Sequence, residues 1–300
     1  MSAAGPPQGA CPPGGAARSA GRGGHTNAGR FRPSQLLLFV ALAAFTAVML
    51  TPVVWALMTS IKQPIDAFAI PPKFVFEPTF EFHRQVWFEK GFGWFLLNSA
   101  IIAVSTVVIS VSIGTMAAYA LSRMSGKAVG GIMLALLSLR MFPHMLLAIP
   151  LFILAKYFNL IDTYPAMVLA LVAINQPFTI WMMHSFFVDV PREVDEAAAI
   201  DGASEWQTFV RVVLPIVRPG LWVTALFSLL LAYNEFLFAL VLTGPKTKTL
   251  PVAIAAYGGE DLNYWSLSAA AAIAIMIPIV LFMMALQKHL VRGLALGAVK

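Results

Sequence analysis

Residues 193–206 read EVDEAAAIDGASEW, with five acids among fourteen residues. The runs on either side are almost free of charge. Residues 163–188 hold no Asp, Glu, Lys or Arg, and residues 219–245 hold Glu235 alone. Crossing the hydrocarbon of a bilayer takes about 20 residues of helix, and both runs are long enough. The acidic stretch therefore reads as a polar island between two membrane crossings, and the fold is found by working outward from it.

Four more apolar runs appear in that direction. Residues 33–61, 91–122 and 262–287 carry no charge, and residues 128–155 carry only Arg140. Composition agrees: 59% of the residues are hydrophobic, 11% are charged and the mean hydropathy is +0.79. Soluble domains carry about 25% charged residues, so most of this surface is not built to face water. The runs lack the period-2 alternation of barrel strands, and helices satisfy their own backbone in lipid. The expected fold is an all-α integral membrane protein with six transmembrane helices. Its expected domains are a disordered basic tail over 1–33, a six-helix transmembrane domain over 34–290 and a short C-terminal tail over 291–300. The first run is too long for a signal peptide and lacks an obvious cleavage site, so it is expected to remain as a helix.

Lys and Arg set the orientation. One side collects the 1–33 tail, the 123–127 loop, the 188–218 loop and the C-terminus, with twelve basic residues against seven on the other. That side is expected to be cytoplasmic, with both termini there. The formal net charge of +6 then reflects topology and does not point to nucleic acid. The outer loop around 62–92 carries Trp87 and several Phe, an interfacial aromatic pattern with membrane lipid as its partner. Cys11 alone provides neither a disulfide framework nor a Cys-based metal site.

The island has a local code. Asp189 is placed to cap a helix and Pro191 to open its first turn. Residues 192–201 are helix formers, Gly202 fits a helix stop, and Ser204 with Gln207 has the form of a capping box. Residues 205–213 then read as a second short helix with Trp206, Phe209, Val212 and Val213 at helical spacing. Two short helices thus meet at a bend over Gly202 and Ala203. Ala197, Ala198 and Ala199 give a small-residue surface, ringed by Glu193, Glu196 and Asp201. Such a shape can seat in a groove of another protein, or it can be a solvated connector; the residues alone leave both readings open.

The stretch EAAAIDGASEWQTFVRVVLPIVRPG (196–220) resembles the EAA loop of membrane subunits from binding-protein-dependent ABC importers. Glu196, Ala197, Ala198, Gly202, Leu214 and Pro215 match that signature. The Asp201-Gly202-Ala203 form resembles the carbohydrate branch, as in maltose-type permeases. YNEF (233–236) is similar to the Trp-Asn-Glu-Phe of its fifth helix, departing at Tyr233, and VRGLALGAVK (291–300) is similar to the tail of its second permease subunit. The resemblance covers most of residues 35–300. It implies a coupling loop over 189–215 that docks on a cytoplasmic ATPase subunit, in a bacterial inner-membrane importer of a sugar, oligosaccharide or polyol. The implied partners are a second permease subunit, two ATPase subunits and an extracytoplasmic binding protein. No cofactor is expected on this chain, with ATP and Mg on the ATPases.

The chain has no G-x-x-x-x-G-K-[ST], no H-E-x-x-H and no G-x-S-x-G. Its five His show no ligand spacing, and the chain is expected to be non-catalytic. Arg140, Asn234 and Glu235 are polar positions inside apolar runs. They are candidates for the substrate path, while Arg140 and Glu235 can equally neutralise each other, since an unpaired charge at membrane depth costs about 3 kcal/mol or more. The alternative function is an ion-coupled secondary transporter. It calls for midplane carboxylates and internal repeats, and Glu235 alone is available.

Overall fold

The computed structural model describes residues 33–257 and 263–298. The expected basic tail falls outside the described residues apart from Pro33. Among the described residues all regular structure is helical. The helices in chain order are α1 (Pro33–Ser60), α2 (Pro64–Ala67), α3 (Glu81–Arg84), α4 (Phe92–Arg123), α5 (Lys127–Met141), α6 (His144–Tyr157), α7 (Tyr164–Val188), α8 (Glu193–Ile200), α9 (Glu205–Gln207), α10 (Leu214–Ile216), α11 (Arg218–Tyr233), α12 (Leu237–Leu242), α13 (Leu250–Ala255) and α14 (Asn263–Ala298). π-Helical segments extend α3 over Gln85–Glu89 and join α9 to α10 over Thr208–Val213.

The chain divides into two units, Met1–Thr51 and Pro52–Lys300. In the first, Thr46 and Thr51 donate their hydroxyls to the carbonyls of Leu42 and Ala47 one turn back. Polar groups in an apolar helix are thereby satisfied within the helix.

The second unit is organised around α4 and α7. One face of α4 buries Ser99, Ala103, Thr106, Ser110, Gly114 and Ala118, small residues three or four apart. Small residues let helices approach closely in membranes and leave hydroxyls free to bond across the seam. A Cβ at Gly114 would lie 2.5 Å from Thr179 Cγ2, which explains the glycine. Ser110 and Thr179 share a hydrogen bond at 3.1 Å, and Gln176 donates to the Ser110 carbonyl. The two helices run parallel. Tyr164, at the start of α7, donates to Asn98 near the start of α4, whereas Arg123, closing α4, donates to the Phe187 carbonyl at the end of α7. Helix α11 is antiparallel to them: Gly220 lies against Phe186, Thr224 against Met183, and Asn175 donates to Ser228.

Four described helices are long and apolar enough to cross a membrane alone, and up to six crossings result if each of two bent pairs counts as one. The first of these pairs falls within an expected span. The run 128–155 forms α5 and α6, which meet at 87°. Pro143 lacks an N–H and holds Phe142 extended (ψ 133), so the helix ends there. The second bent pair is Glu205–Ile216 with α11, which meet at 80° where the chain enters the run 219–245. That run is itself interrupted further on, since α11 ends at Tyr233 and α12 begins at Leu237. Asn234 turns its amide back to the Leu230 carbonyl at 2.8 Å, and Glu235 accepts from the Phe238 N–H at 3.2 Å. Polar side chains take over where the backbone ladder stops, a condition for irregular chain at membrane depth.

Candidate functional site

The acidic island forms a rigid elbow. Helix α8 starts at Glu193, later than its code implied. Asp189 instead closes the C-terminus of α7, and Arg192 precedes the first turn of α8. Three acids, Glu193, Asp195 and Glu196, occupy that turn, where the helix dipole favours negative charge. Gly202 stops the helix at φ +82°, and the N–H of Ala203 returns to the Ala198 carbonyl. Ser204 then caps α9 in a complete capping box: its hydroxyl accepts from Gln207 N at 3.3 Å, and the Gln207 side chain accepts from Ser204 N at 3.0 Å. The second helix is not a regular α-helix. Its buried face is Phe209, Val213 and Val217, spaced by four, and the π-helical turn over Thr208–Val213 keeps that wider spacing on one side. Trp206 is off this face and 62% exposed, with its ring 5.5 Å from that of Phe209.

The three alanines do not form one surface. Ala198 is 7% exposed and turned into the fold, while Ala197 and Ala199 face out. The outward face of α8 consists of Glu193, Glu196, Ala197 and Ile200, and Ile200 is 87% exposed. Asp201 and Gly202 are also exposed, Ala203 is half-buried, and Leu214 and Pro215 lie in α10, with Leu214 packed on the cluster beneath. The structure thus gathers the sequence-identified residues Glu196, Ala197, Asp201 and Gly202 on the exposed elbow, leaves Ala198 and Leu214 to its support, and exposes Pro215 in α10.

Beneath the elbow, Ala118, Met183, Phe187, Val190, Phe209, Val213 and Val217 form a buried apolar cluster. Beside it a cleft of about 760 Å³ opens between the end of α4 and the α8–α9 elbow, lined by Met116, Ala120 and Met124 on one side and Ala199 and Trp206 on the other. Asp195 spans the cleft. It accepts from the Tyr119 hydroxyl and pairs with Arg123 Nη2 at 2.8 Å. Arg123 also donates from Nη1 to the carbonyls of Phe187 and Val190, each at 3.2 Å, and its guanidinium lies 5.4 Å from the Tyr119 ring centre. The side chains of Arg123 and Asp195 are 18% and 20% exposed, against 68% and 50% for the Arg84–Glu89 pair. Exposed pairs contribute about 0–1 kcal/mol, and a pair this sheltered is screened less. Composition and motif gave no sign of this cluster, because Tyr119 and Asp195 lie 76 residues apart.

The candidates within the apolar runs meet at a second place. Arg140, His144, Asn175 and Glu235 line a cavity of about 160 Å³ between the α5–α6 bend and the α11–α12 break. An Arg140–Glu235 ion pair is not among those of the described residues. Arg140 instead lies 4.7 Å over the Phe178 ring, and Glu235 is bonded to the N–H of Phe238. Cation–π contact and end-capping thus provide a partner for each charge without the other. Asn234 is exposed and bonded to its own helix.

A second polar knot lies at the opposite end of α4 and α7, and it was not expected from the sequence. Asp162 sits at φ +59° in the α6–α7 turn. Its carboxylate accepts from the N–H groups of Gly244, Lys246 and Thr247 and from the Thr247 hydroxyl, at 2.8–3.2 Å. Asn98 donates to the carbonyls of Lys246 and Lys248, tying the same loop to α4. Burial alone would raise the Asp162 carboxyl. The Thr247 hydroxyl and the three backbone N–H groups outweigh it and hold the group below its usual range.

Residues 110–296 match the family described as binding-protein-dependent transport system inner membrane component. The probable ABC transporter permease protein y4oR of Sinorhizobium fredii is 36% identical over 263 residues, 88% of this chain and 94% of that one. The trehalose/maltose transport system permease protein MalG of Thermococcus litoralis is 34% identical, covering 89% and 97%. Among solved structures, a bacterial ABC transporter involved in the import of the acidic polysaccharide alginate shares the fold, with a TM-score of 0.69 at 21% identity over 86% of this chain and 96% of that one. With an exposed elbow that carries the EAA residues and relatives alike over nearly their whole length, the chain belongs to the family of inner membrane components of binding-protein-dependent transport systems.

Proposed function

We propose that the chain is one of two membrane subunits of an ATP-driven importer in the bacterial inner membrane, and that its cargo is a sugar, oligosaccharide or polyol. The reading rests above all on the exposed face of α8. Glu196, Ala197 and Ile200 stand outward on a capped elbow fixed to the bundle, where they are free to meet another protein. Glu196 pairs there with an arginine of a cytoplasmic ATPase, and Ala197 allows close approach. Closure of two ATPase subunits around ATP and Mg pushes the elbow, and the bundle alternates between inward-open and outward-open states. This chain performs no catalysis itself. A second permease subunit provides the other half of the path, and an extracytoplasmic binding protein delivers the cargo.

The topology in this reading is six crossings with the elbow and both termini in the cytoplasm, α5 with α6 serving as one crossing and α11 with α12 as another; the twelve-to-seven division of basic residues supports it. The 1–33 and 291–300 segments flank the 34–290 permease domain on that side. The cavity with Arg140 and Glu235 borders the substrate path, with Asn234 at its break. The carbohydrate class is supported by relatives whose names specify diacetylchitobiose, trehalose and melibiose/raffinose/stachyose transport.

Copurification tests the reading. The intact chain is expected to bring down an ATPase subunit, and Gly202→Pro or Glu196→Lys to remain in the membrane while losing ATP-driven uptake. Proline fixes φ near −65°, opposite in sign to the +82° that Gly202 adopts, and mis-aims α9. Normal uptake by both variants would make the elbow a connector. Ion-gradient-driven uptake with no ATPase bound would establish the secondary transporter instead.

A further inference from the structure

We infer that Asp195 is the positioning residue through which displacement of α8 reaches α4, so that the ATPase-facing elbow and the central helix move as one body. The inference rests on the docking reading above and concerns what happens behind the docked face. Helix α8 packs chiefly on the π-helical segment 208–213, and the 760 Å³ cleft lies between it and α4. Among the described residues, the hydrogen bonds and ion pairs between α8 and α4 run through Asp195: the Tyr119 hydroxyl to one carboxylate oxygen and Arg123 to the other.

The geometry suits load transfer. One carboxylate oxygen takes the Tyr119 hydroxyl and the other makes an ion pair with Arg123 on the next turn of α4, so the group is tied at two points, whereas the hydroxyl alone would leave a pivot. Arg123 passes the load on, because its other nitrogen holds the carbonyls of Phe187 and Val190 at the end of α7. Arg192 adds a bond from the start of α8 to the Met124 carbonyl, just beyond α4. α4, α7 and α8 are thus linked through one guanidinium. Asp195 is half-buried and lies behind the outward face of Glu193, Glu196, Ala197 and Ile200, so it does not compete for the ATPase.

The test uses the assembled transporter in vesicles, with ATP hydrolysed and substrate imported measured together. Asp195→Asn keeps an acceptor for Tyr119 but removes the ion pair. It is expected to retain the ATPase subunit and its hydrolysis while substrate moved per ATP falls about tenfold, within the range of ordinary allosteric couplings. Asp195→Glu restores the charge and is expected to recover most of the ratio, which a general packing defect would not allow. If Asp195→Asn does not accumulate, Tyr119→Phe carries the test; it removes one hydroxyl, keeps the pair and is expected to lower the ratio about threefold. An unchanged ratio, loss of the ATPase on Asp195→Asn, or no rescue by Glu overturns the inference. Failure of the docking reading shows separately, as an unmodified chain that binds no ATPase.

Discussion

The two ends of the α4–α7 pair are each closed by one aspartate, and the two aspartates are held differently. Asp195 is bound by side chains, Tyr119 and Arg123, across an open cleft. Asp162 is bound by three backbone N–H groups and one hydroxyl, all from a single loop. A carboxylate in a backbone nest immobilises the chain that makes the nest. A carboxylate between two side chains ties two separate helices, so that displacement of one carries the other. The first arrangement suits an anchor and the second a transmission, so the far end is fixed and the elbow end is linked.

The largest expected effect follows from removing the anchor. Asp162→Ala leaves four donors without their acceptor and is expected to lower stability at neutral pH by about 2–3 kcal/mol, read from unfolding in detergent. The effect depends on pH in a defined sense. Because the folded carboxyl titrates below its ordinary value of 3.8, the stabilisation is full above that value and is lost as pH falls through the lower folded value. The gap between wild type and variant is therefore expected to close in acid; a constant gap would mean that Asp162 acts through shape and not charge.

A smaller effect tests the nest itself. A Cβ at Gly244 would lie 2.7 Å from the Asp162 carboxyl, so Gly244→Ala is expected to lower stability by about 1–2 kcal/mol. The smallest effect belongs to the elbow. Gly202 has open space where a Cβ would go, and only its φ of +82° resists a side chain. Gly202→Ala is expected to cost about 1 kcal/mol or less. A larger loss at Gly202 than at Gly244 would reverse the assignment of anchor and transmission.

Local code carried the elbow. Gly202 takes the positive φ its position implies, and both bonds of the Ser204–Gln207 box form, because the signals and their targets lie within four residues. The apolar runs were legible for the same reason, as properties of continuous segments. The breaks within them were not. Pro177 and Pro278 stay inside unbroken helices whereas Pro143 ends one at 87°, so a proline within an apolar run does not by itself mark a break. Both polar knots were missed as well: Asp162 finds its donors 82 to 85 residues away, and three of the four are backbone atoms that no residue type advertises.

The parallel course of α4 and α7 has a consequence for biosynthesis. In the proposed six-crossing topology, the chain returns across the membrane through α5 and α6 before α7 is laid beside α4. Asn98, Ser110 and Arg123 therefore enter the membrane ahead of Tyr164, Thr179 and Phe187, to which they bond. At typical elongation rates the 65 residues from Arg123 to Val188 take roughly 3 to 13 s. For that interval α4 carries buried-type hydroxyls and an amide without their final partners. In that topology its small-residue seam is a surface completed only when the sister helix arrives.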